Sequence, residues 1–364
     1  MSEALRVLIA GGGTGGHVFP GVAVADALGR RTRDLSVTWV GTLRGIEARV
    51  LPTTPWRFEA IDVSPLNGVR GVALARSLAQ LGPASARCVR VLRRDRPQVV
   101  LGVGGYAGGP VVALAAAMGI PTAVLEPNAV PGLANRILAR LVKRAFLTHE
   151  EAMGAFPKGV AMVTGSPVRR AFLQRMSTDA PEDGPPEVLV IGGSQGARAI
   201  NDVVPAAIAR LRERGVAVTV THQTGHATRD AVAADYARRD VTANVVAFID
   251  DVASAMERAS LLVCRAGAMT VAELGVIGRP AVYVPLPTAA DDHQRKNAEA
   301  MTAKGAARWI AQPELTAERL ADELFALLAD RAVLQQMGRC AWETARPDAA
   351  GTIADELLAL TREG

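Results

Sequence analysis

Short apolar runs alternate with amphipathic stretches along the whole chain. LRVLIA, SVTWVG, VVLGV and TAVLE are short, mostly apolar runs of strand length, the pattern of strands covered on both faces. Between them, VAVADALGRR, LARSLAQL and LANRILARLV space their apolar residues three and four apart, which predicts helices. A polar, proline-rich gap, STDAPEDGPPE at 177–187, interrupts the pattern. It then restarts with EVLVIGG, AVTVTHQ, NVVAFI, LLVCRAG and AVYVPLP, again with helical segments between. Buried parallel strands alternating with helices, run through twice, predict an α/β chain of two Rossmann-like domains. The segment LLVCRAGAMTVAELGVIGRPAVYVPLP echoes VVLGVGGYAGGPVVALAAAMGIPTAVLEPN in order and length, as tandem domains of one kind would.

One stretch resembles a membrane span. Pro97 to Leu125 carries no charged residue, but glycines, Pro110 and Pro121 divide it. Strand, loop, helix and strand account for it better than one apolar helix. The N-terminus, MSEALRVLIAGGG, has an early acid and no basic leader region, so a secretory signal is not expected.

Composition narrows the function classes. With 364 residues, 49% hydrophobic and 21% charged, the chain can bury two full cores, which excludes disorder. Aromatic residues are 4%, too few to stack on a series of nucleic-acid bases, and no nucleic-acid partner is expected. The net charge of +5 fits an anionic partner such as a phosphate or an acidic membrane, although scattered arginines account for it equally well. Cys88, Cys264 and Cys340 are widely spaced and form no zinc pattern.

The glycines, 35 in all, are the informative excess because they cluster. Four glycine-rich turns follow predicted strands and open helices: GGGTGG at 11–16, GVGGYAGGP at 102–110, GGSQG at 192–196 and the turn at Gly267. Such turns present backbone N–H groups at helix N-termini, where phosphates bind. Each alone could be a tight turn; four together point to phosphate or sugar recognition. Gly11, Gly13 and Gly16 spell the dinucleotide fingerprint, but the following strand ends in Gly41–Thr42 with no acid for a ribose, which argues against a nicotinamide cofactor. No cofactor is expected. The acid pairs Asp250–Asp251 and Asp291–Asp292 are adjacent, so their side chains diverge and no metal site is expected.

GGGTGGHVFP, GVGGYAGGP, EPNAVPG, TGSPVR, GGSQGARAIN, FIDD, CRAGAMTVAE and DDHQRKNA occur in the order and spacing of the MurG family of bacterial cell-wall glycosyltransferases. The chain resembles that family over nearly its full length. The resemblance implies a GT-B architecture, two Rossmann-like domains whose parallel sheets face a central cleft. The expected boundaries are 1–165 for an acceptor- and membrane-facing domain and 166–346 for a UDP-sugar-binding domain. A C-terminal helix, 347–364, beginning at the break at Pro347, rejoins the first.

The implied reaction is inverting transfer of N-acetylglucosamine from UDP-N-acetylglucosamine to the muramyl sugar of undecaprenyl-diphosphate-linked muramyl-pentapeptide, in peptidoglycan synthesis. It implies peripheral attachment to the cytoplasmic face of the inner membrane, with an anionic membrane surface and cell-wall synthesis or division proteins as partners. Among residues, Glu273 matches the family's ribose ligand; Ser194, Gln195 and Gly196 match the diphosphate turn, and Ala268, Met269, Thr270, Val271 and Ala272 the neighbouring helix N-terminus. Ile249 matches a uracil contact, Gln294 or the adjacent His293 a sugar-hydroxyl contact, and Asn128 a donor-sugar contact. Thr14, Gly15 and Gly16 match the loop facing donor and acceptor diphosphate, and Arg169 could contact a phosphate.

An attacking hydroxyl needs a base and a departing diphosphate needs stabilisation. His17, at the end of the first glycine turn, is the candidate base, with Glu126, Tyr106 and Asn201 as rivals. Two positions depart from the family pattern: Pro127 where Gln is common, and Ser166 where Asn is common. The competing readings are another GT-B lipid glycosyltransferase of the diacylglycerol type, a UDP-sugar epimerase of similar fold, and a non-catalytic sugar-nucleotide-binding protein.

Overall fold

The computed structural model describes residues 4–62, 72–177, 184–192, 196–289 and 292–363. They form two compact units, one of residues 1–169 with 346–364, the other of 170–345. The chain leaves the first unit four residues later than the sequence boundary and re-enters it at Arg346.

The first unit holds a seven-stranded parallel sheet of β1 (Leu5–Gly11), β2 (Leu35–Gly41), β3 (Arg57–Ala60), β4 (Val99–Gly104), β5 (Thr122–Glu126), β6 (Arg144–Leu147) and β7 (Ala161–Val163). Its spatial order is β3-β2-β1-β4-β5-β6-β7, so the order reverses between β1 and β4. The crevice at the carboxyl ends of those two strands is where open α/β sheets bind ligands, and GGGTGG and GVGGYAGG both lie there. Alternation along β1 sends Val7 and Ile9 to one core and Leu8 and Ala10 to the other. The chargeless stretch is β4, a helix Gly108–Ala117 and β5, and no helix among the described residues is long and apolar enough to cross a membrane.

The first of those cores is closed by the helices Gly15–Arg31 and Ala349–Glu363. Ile353, Leu357 and Leu360 of the second are buried among Val24 and Leu28 of the first. At the rim Arg31 Nη2 donates to Asp355 Oδ2 at 2.9 Å. Burial governs this junction, because exposed ion pairs contribute little. Leu357→Ala is expected to lower the first unit's stability by about 2–5 kcal/mol, and Asp355→Ala by less than about 1 kcal/mol. Denaturant unfolding of the two variants checks the ranking.

The second unit holds a six-stranded parallel sheet, β8 (Glu187–Ile191), β9 (Thr219–Gln223), β10 (Asn244–Val246), β11 (Leu261–Cys264), β12 (Ala281–Tyr283) and β13 (Ala307–Trp309), in the order β10-β9-β8-β11-β12-β13. Val188, Val190 and Val263 meet Ile200, Val204, Ile208 and Leu211 of the helix Arg198–Glu213 in its core.

Inside that core lies a polar chain. Asn201 Nδ2 donates to Thr224 O at 2.9 Å and Thr228 Oγ1 at 2.8 Å, which leaves Asn201 Oδ1 to accept from His222 Nε2 at 3.1 Å. His222 Nδ1 therefore carries the lone pair and accepts from the Tyr236 hydroxyl at 3.0 Å. Both ends of the Asn201 amide are committed to this network inside the core, not to a reacting group. Burial lowers the His222 pKa from 6.5 to about 4. The unfolded chain binds this proton below pH 6.5 and the folded one only below about 4. Stability held above pH 6.5 is thus lost as pH falls between those values, by at most about 3 kcal/mol. The pH dependence of unfolding for wild type minus that for His222→Gln is expected to show this loss; parallel curves would refute it.

Candidate active site

The first glycine turn is built on close backbone contact. Gly12 N–H donates to Gly104 O at 3.2 Å, and a Cβ on Gly105 would stand 2.2 Å from Gly12 O. Gly104 has φ +98°, and a Cβ there would strike the His17 ring at 2.6 Å. The turn leads into the helix Gly15–Arg31, with Thr14 as its N-cap. Thr14 O accepts from His17 N–H at 3.1 Å and from Val18 N–H at 3.2 Å.

His17 is half-buried, and its Nδ1 lies 3.1 Å from Gly12 O and 3.4 Å from Thr14 Oγ1. A carbonyl only accepts, so Nδ1 bears a proton; in the neutral ring the lone pair is then on Nε2, the tautomer a general base requires. Beneath the turn sits Glu47, fully buried at the start of the short helix Glu47–Val50. Its Oε2 accepts from Gly13 N–H at 2.7 Å, and its Oε1 from Thr42 N–H at 2.9 Å and Thr42 Oγ1 at 2.8 Å. Sequence reasoning missed Glu47. An acid in GTLRGIEARV reads as a solvated turn residue, and only glycines 12, 41 and 45, which crowd around its side chain, hint otherwise.

Of the rivals, Tyr106 is 56% exposed on the second glycine turn. Glu126, at the end of β5, is buried, and burial holds its carboxyl above the usual range. Four N–H groups converge on it: Asn128 N at 3.0 Å, Asn128 Nδ2 at 3.2 Å, Gly132 N at 2.9 Å and Asn135 Nδ2 at 2.9 Å. It is thereby the anchor of the loop 127–132, and that loop presents Asn128. Pro127 and Ser166, the two departures, line one small pocket together with Gly16 and Glu126. The Arg169 guanidinium lies 4.3 Å over the Phe19 ring, a cation–π contact beside the first helix.

In the second unit Ser194 and Gln195 lie outside the described residues. Gly196 adjoins them with φ +77°, and a Cβ there would meet Thr224 O at 2.0 Å. The Asn201–His222 network thus backs this turn directly. Gln223, which closes β9, accepts from Ile249 N–H at 3.2 Å through Oε1 and fixes the FIDD loop. That amide was also missed; the polar ending of AVTVTHQ is its signal. Ile249 N–H is occupied by this bond.

Gly267 is the N-cap of the helix Ala268–Ile277, which carries Met269, Thr270, Val271 and Ala272 in its first turns. Glu273 on this helix is buried, not a solvated surface acid. Gln294 and His293 open the helix His293–Ala303. Leu286 N–H donates to Gln294 Oε1 at 3.0 Å, which fixes the direction of the amide. Asp251 caps the helix Val252–Arg258 through Ser254 N–H at 3.0 Å and pairs with Arg175 at 3.0 Å.

The glycosyltransferase family 28 N-terminal domain matches residues 7–147, and the family 28 C-terminal domain matches 187–353. A Geobacter sulfurreducens protein described as UDP-N-acetylglucosamine–N-acetylmuramyl-(pentapeptide) pyrophosphoryl-undecaprenol N-acetylglucosamine transferase is 43% identical, across 99% of this chain and 100% of its own. A Sorangium cellulosum protein of the same description is 46% identical, across 98% and 89%. The crystal structure of Acinetobacter baumannii MurG superposes with a TM-score of 0.80 at 33% identity, covering 98% of this chain and 99% of that one. With both domain models matched in order, and with relatives of this identity aligned nearly end to end, the chain belongs to glycosyltransferase family 28 and, within it, to the MurG family.

Proposed function

We propose that the protein transfers N-acetylglucosamine from UDP-N-acetylglucosamine to the muramyl hydroxyl of undecaprenyl-diphosphate-linked muramyl-pentapeptide, with inversion. The observation that carries the chemistry is the His17 tautomer, its Nδ1–H held by Gly12 O and its lone pair on Nε2. Nε2 takes the proton of the acceptor hydroxyl as the hydroxyl oxygen bonds to the anomeric carbon. The bond from that carbon to the diphosphate breaks, and UDP leaves with the electron pair. Thr14, Gly15 and Gly16 face the acceptor diphosphate, Arg169 adds positive charge, and Asn128 meets the transferred sugar.

The second unit holds the donor. Glu273 accepts from the ribose hydroxyls, Ile249 O reads uracil, and Gln294 Nε2, with His293 beside it, contacts sugar. The turn of Ser194, Gln195 and Gly196 and the helix N-terminus at 268–272 meet the leaving diphosphate with N–H groups.

UDP release with a muramyl-lipid acceptor tests this reading against the other enzyme classes and against a binding protein. In that assay His17→Ala is expected to lower kcat by about 10²–10⁴-fold with little change in donor KM. Glu273→Ala is expected to cost about 2–4 kcal/mol in kcat/KM for the donor. A loss confined to donor KM on His17→Ala would make His17 a binding residue instead.

A polyprenyl-linked acceptor stays in the bilayer, so the enzyme works as a peripheral protein at the cytoplasmic face of the membrane. The sequence directs attention to 64–96, of which 64–71 and the side chains of 72–81 lie outside the described residues. In the described remainder Ala84, Cys88, Val91 and Leu92 face the core, and Arg87, Arg90, Arg93 and Arg94 face outward. An exposed apolar row stands elsewhere in this unit: Leu133, Ile137 (65% exposed) and Leu141, interleaved with exposed Arg136 and Arg140. Apolar insertion beside arginines suits an anionic lipid surface. Co-sedimentation with anionic vesicles is expected to fall several-fold on Ile137→Glu and at high salt. Undiminished binding by this variant would remove the patch.

A further inference from the structure

The two hydrogen bonds that frame the first glycine turn share one peptide group. Gly13 N–H, which donates to Glu47 Oε2 at 2.7 Å, and Gly12 C=O, which accepts from His17 Nδ1–H at 3.1 Å, belong to the same planar unit and point in opposite directions. We propose that Glu47 is the positioning residue of the catalytic base. It acts on His17 through the Gly12–Gly13 peptide, as a carboxylate acts directly on histidine in a catalytic triad.

The surroundings are shaped for this carboxylate. A Cβ on Gly12 would fall 2.2 Å from its Cδ, and one on Gly45 2.0 Å from its Oε2. No side chain at either position coexists with Glu47 where it lies. Gly12 and Gly45 do not have positive φ, so space, not backbone conformation, calls for glycine there. The carboxylate also accepts both donors of Thr42, which fix its orientation. The bond to Gly13 has the length of a charge-assisted one.

The consequence is electrostatic and geometric. A carboxylate pulling on the N–H polarises the peptide, and the carbonyl on the far side becomes a stronger acceptor. That acceptor holds Nδ1–H, keeps the lone pair on Nε2 and stabilises the imidazolium formed when Nε2 takes the hydroxyl proton. No proton passes to Glu47; the proton on Nδ1 stays where it is throughout transfer.

This rests on the reading of His17 as the base, and the two are separable by experiment. Kinetic constants are measured for wild type, His17→Ala, Glu47→Gln and the double variant. A glutamine side chain in place of Glu47 has one acceptor oxygen and an amide that donates, so it cannot serve both Gly13 and Thr42. Glu47→Gln is expected to lower kcat about tenfold, less than a direct triad partner would because a peptide intervenes. Donor KM is expected to change less than about twofold, and the same substitution in the His17→Ala background to cost less than about twofold more. An equal loss with or without His17, or an unchanged kcat, would overturn the proposal. An unaltered kcat in His17→Ala alone would instead remove the base assignment, and the relay with it. Should Glu47→Gln fail to fold, ¹⁵N-histidine spectra of the wild-type enzyme, assigned by loss of one signal set in His17→Ala, read the tautomer directly. The Nδ1–H form of neutral His17 is expected, and the Nε2–H form would overturn the relay.

Discussion

Everything at the His17 site depends on how closely two strand ends approach. The carboxyl ends of β1 and β4 are joined by Gly12 N–H to Gly104 O, and a Cβ on Gly105 would stand 2.2 Å from Gly12 O. No side chain fits between them. Backbone packed this tightly has few ways to relax, so the Gly12–Gly13 peptide has a fixed direction, and so do the groups bonded to its two faces. His17 takes its orientation from main chain through Gly12 O. Such a site needs no reorganisation when charge develops, which is the main requirement of electrostatic catalysis.

The two units secure their loops with different chemistry. In the first, buried carboxylates at or just beyond strand ends collect N–H groups: Glu47 from Gly13 and Thr42, Glu126 from Asn128, Gly132 and Asn135. In the second, neutral groups do the same work. Asn201, His222 and Tyr236 brace the turn at Gly196, and Gln223 holds the loop at Ile249. Burial keeps His222 uncharged at neutral pH.

Much of this was legible in the sequence, for physical reasons that differ by element. β1, β2, β4, β5, β8 and β11 are mostly apolar runs because both faces of each are covered, and the pattern survives without context. β3, β7 and β13 went unread: RFEA, AMV and ARW are three or four residues at sheet edges, with too few buried positions to make a pattern. β6, RAFL, is interior but as short. The glycine turns were legible because close approach leaves a compositional trace. Glu47 and Gln223 were not, because a buried acid or amide looks like a solvated one until its donors are known. Asn201 misled for the same reason: it sits beside a phosphate-type turn, yet its side chain points into the core.

The departure at Pro127 shows how such anchoring tolerates change. Proline removes a backbone donor from a loop next to the site and fixes its own φ. The loop is nonetheless secured, because Glu126 draws its donors from residues 128, 132 and 135 and none from 127. The lost N–H is one the anchor never uses, and the restricted φ lowers the entropy cost of ordering a loop already tied at both ends. Ser166, the second departure, lines the same pocket as Pro127. The geometry of Asn128 therefore follows from Glu126, and a proline between them is compatible with it.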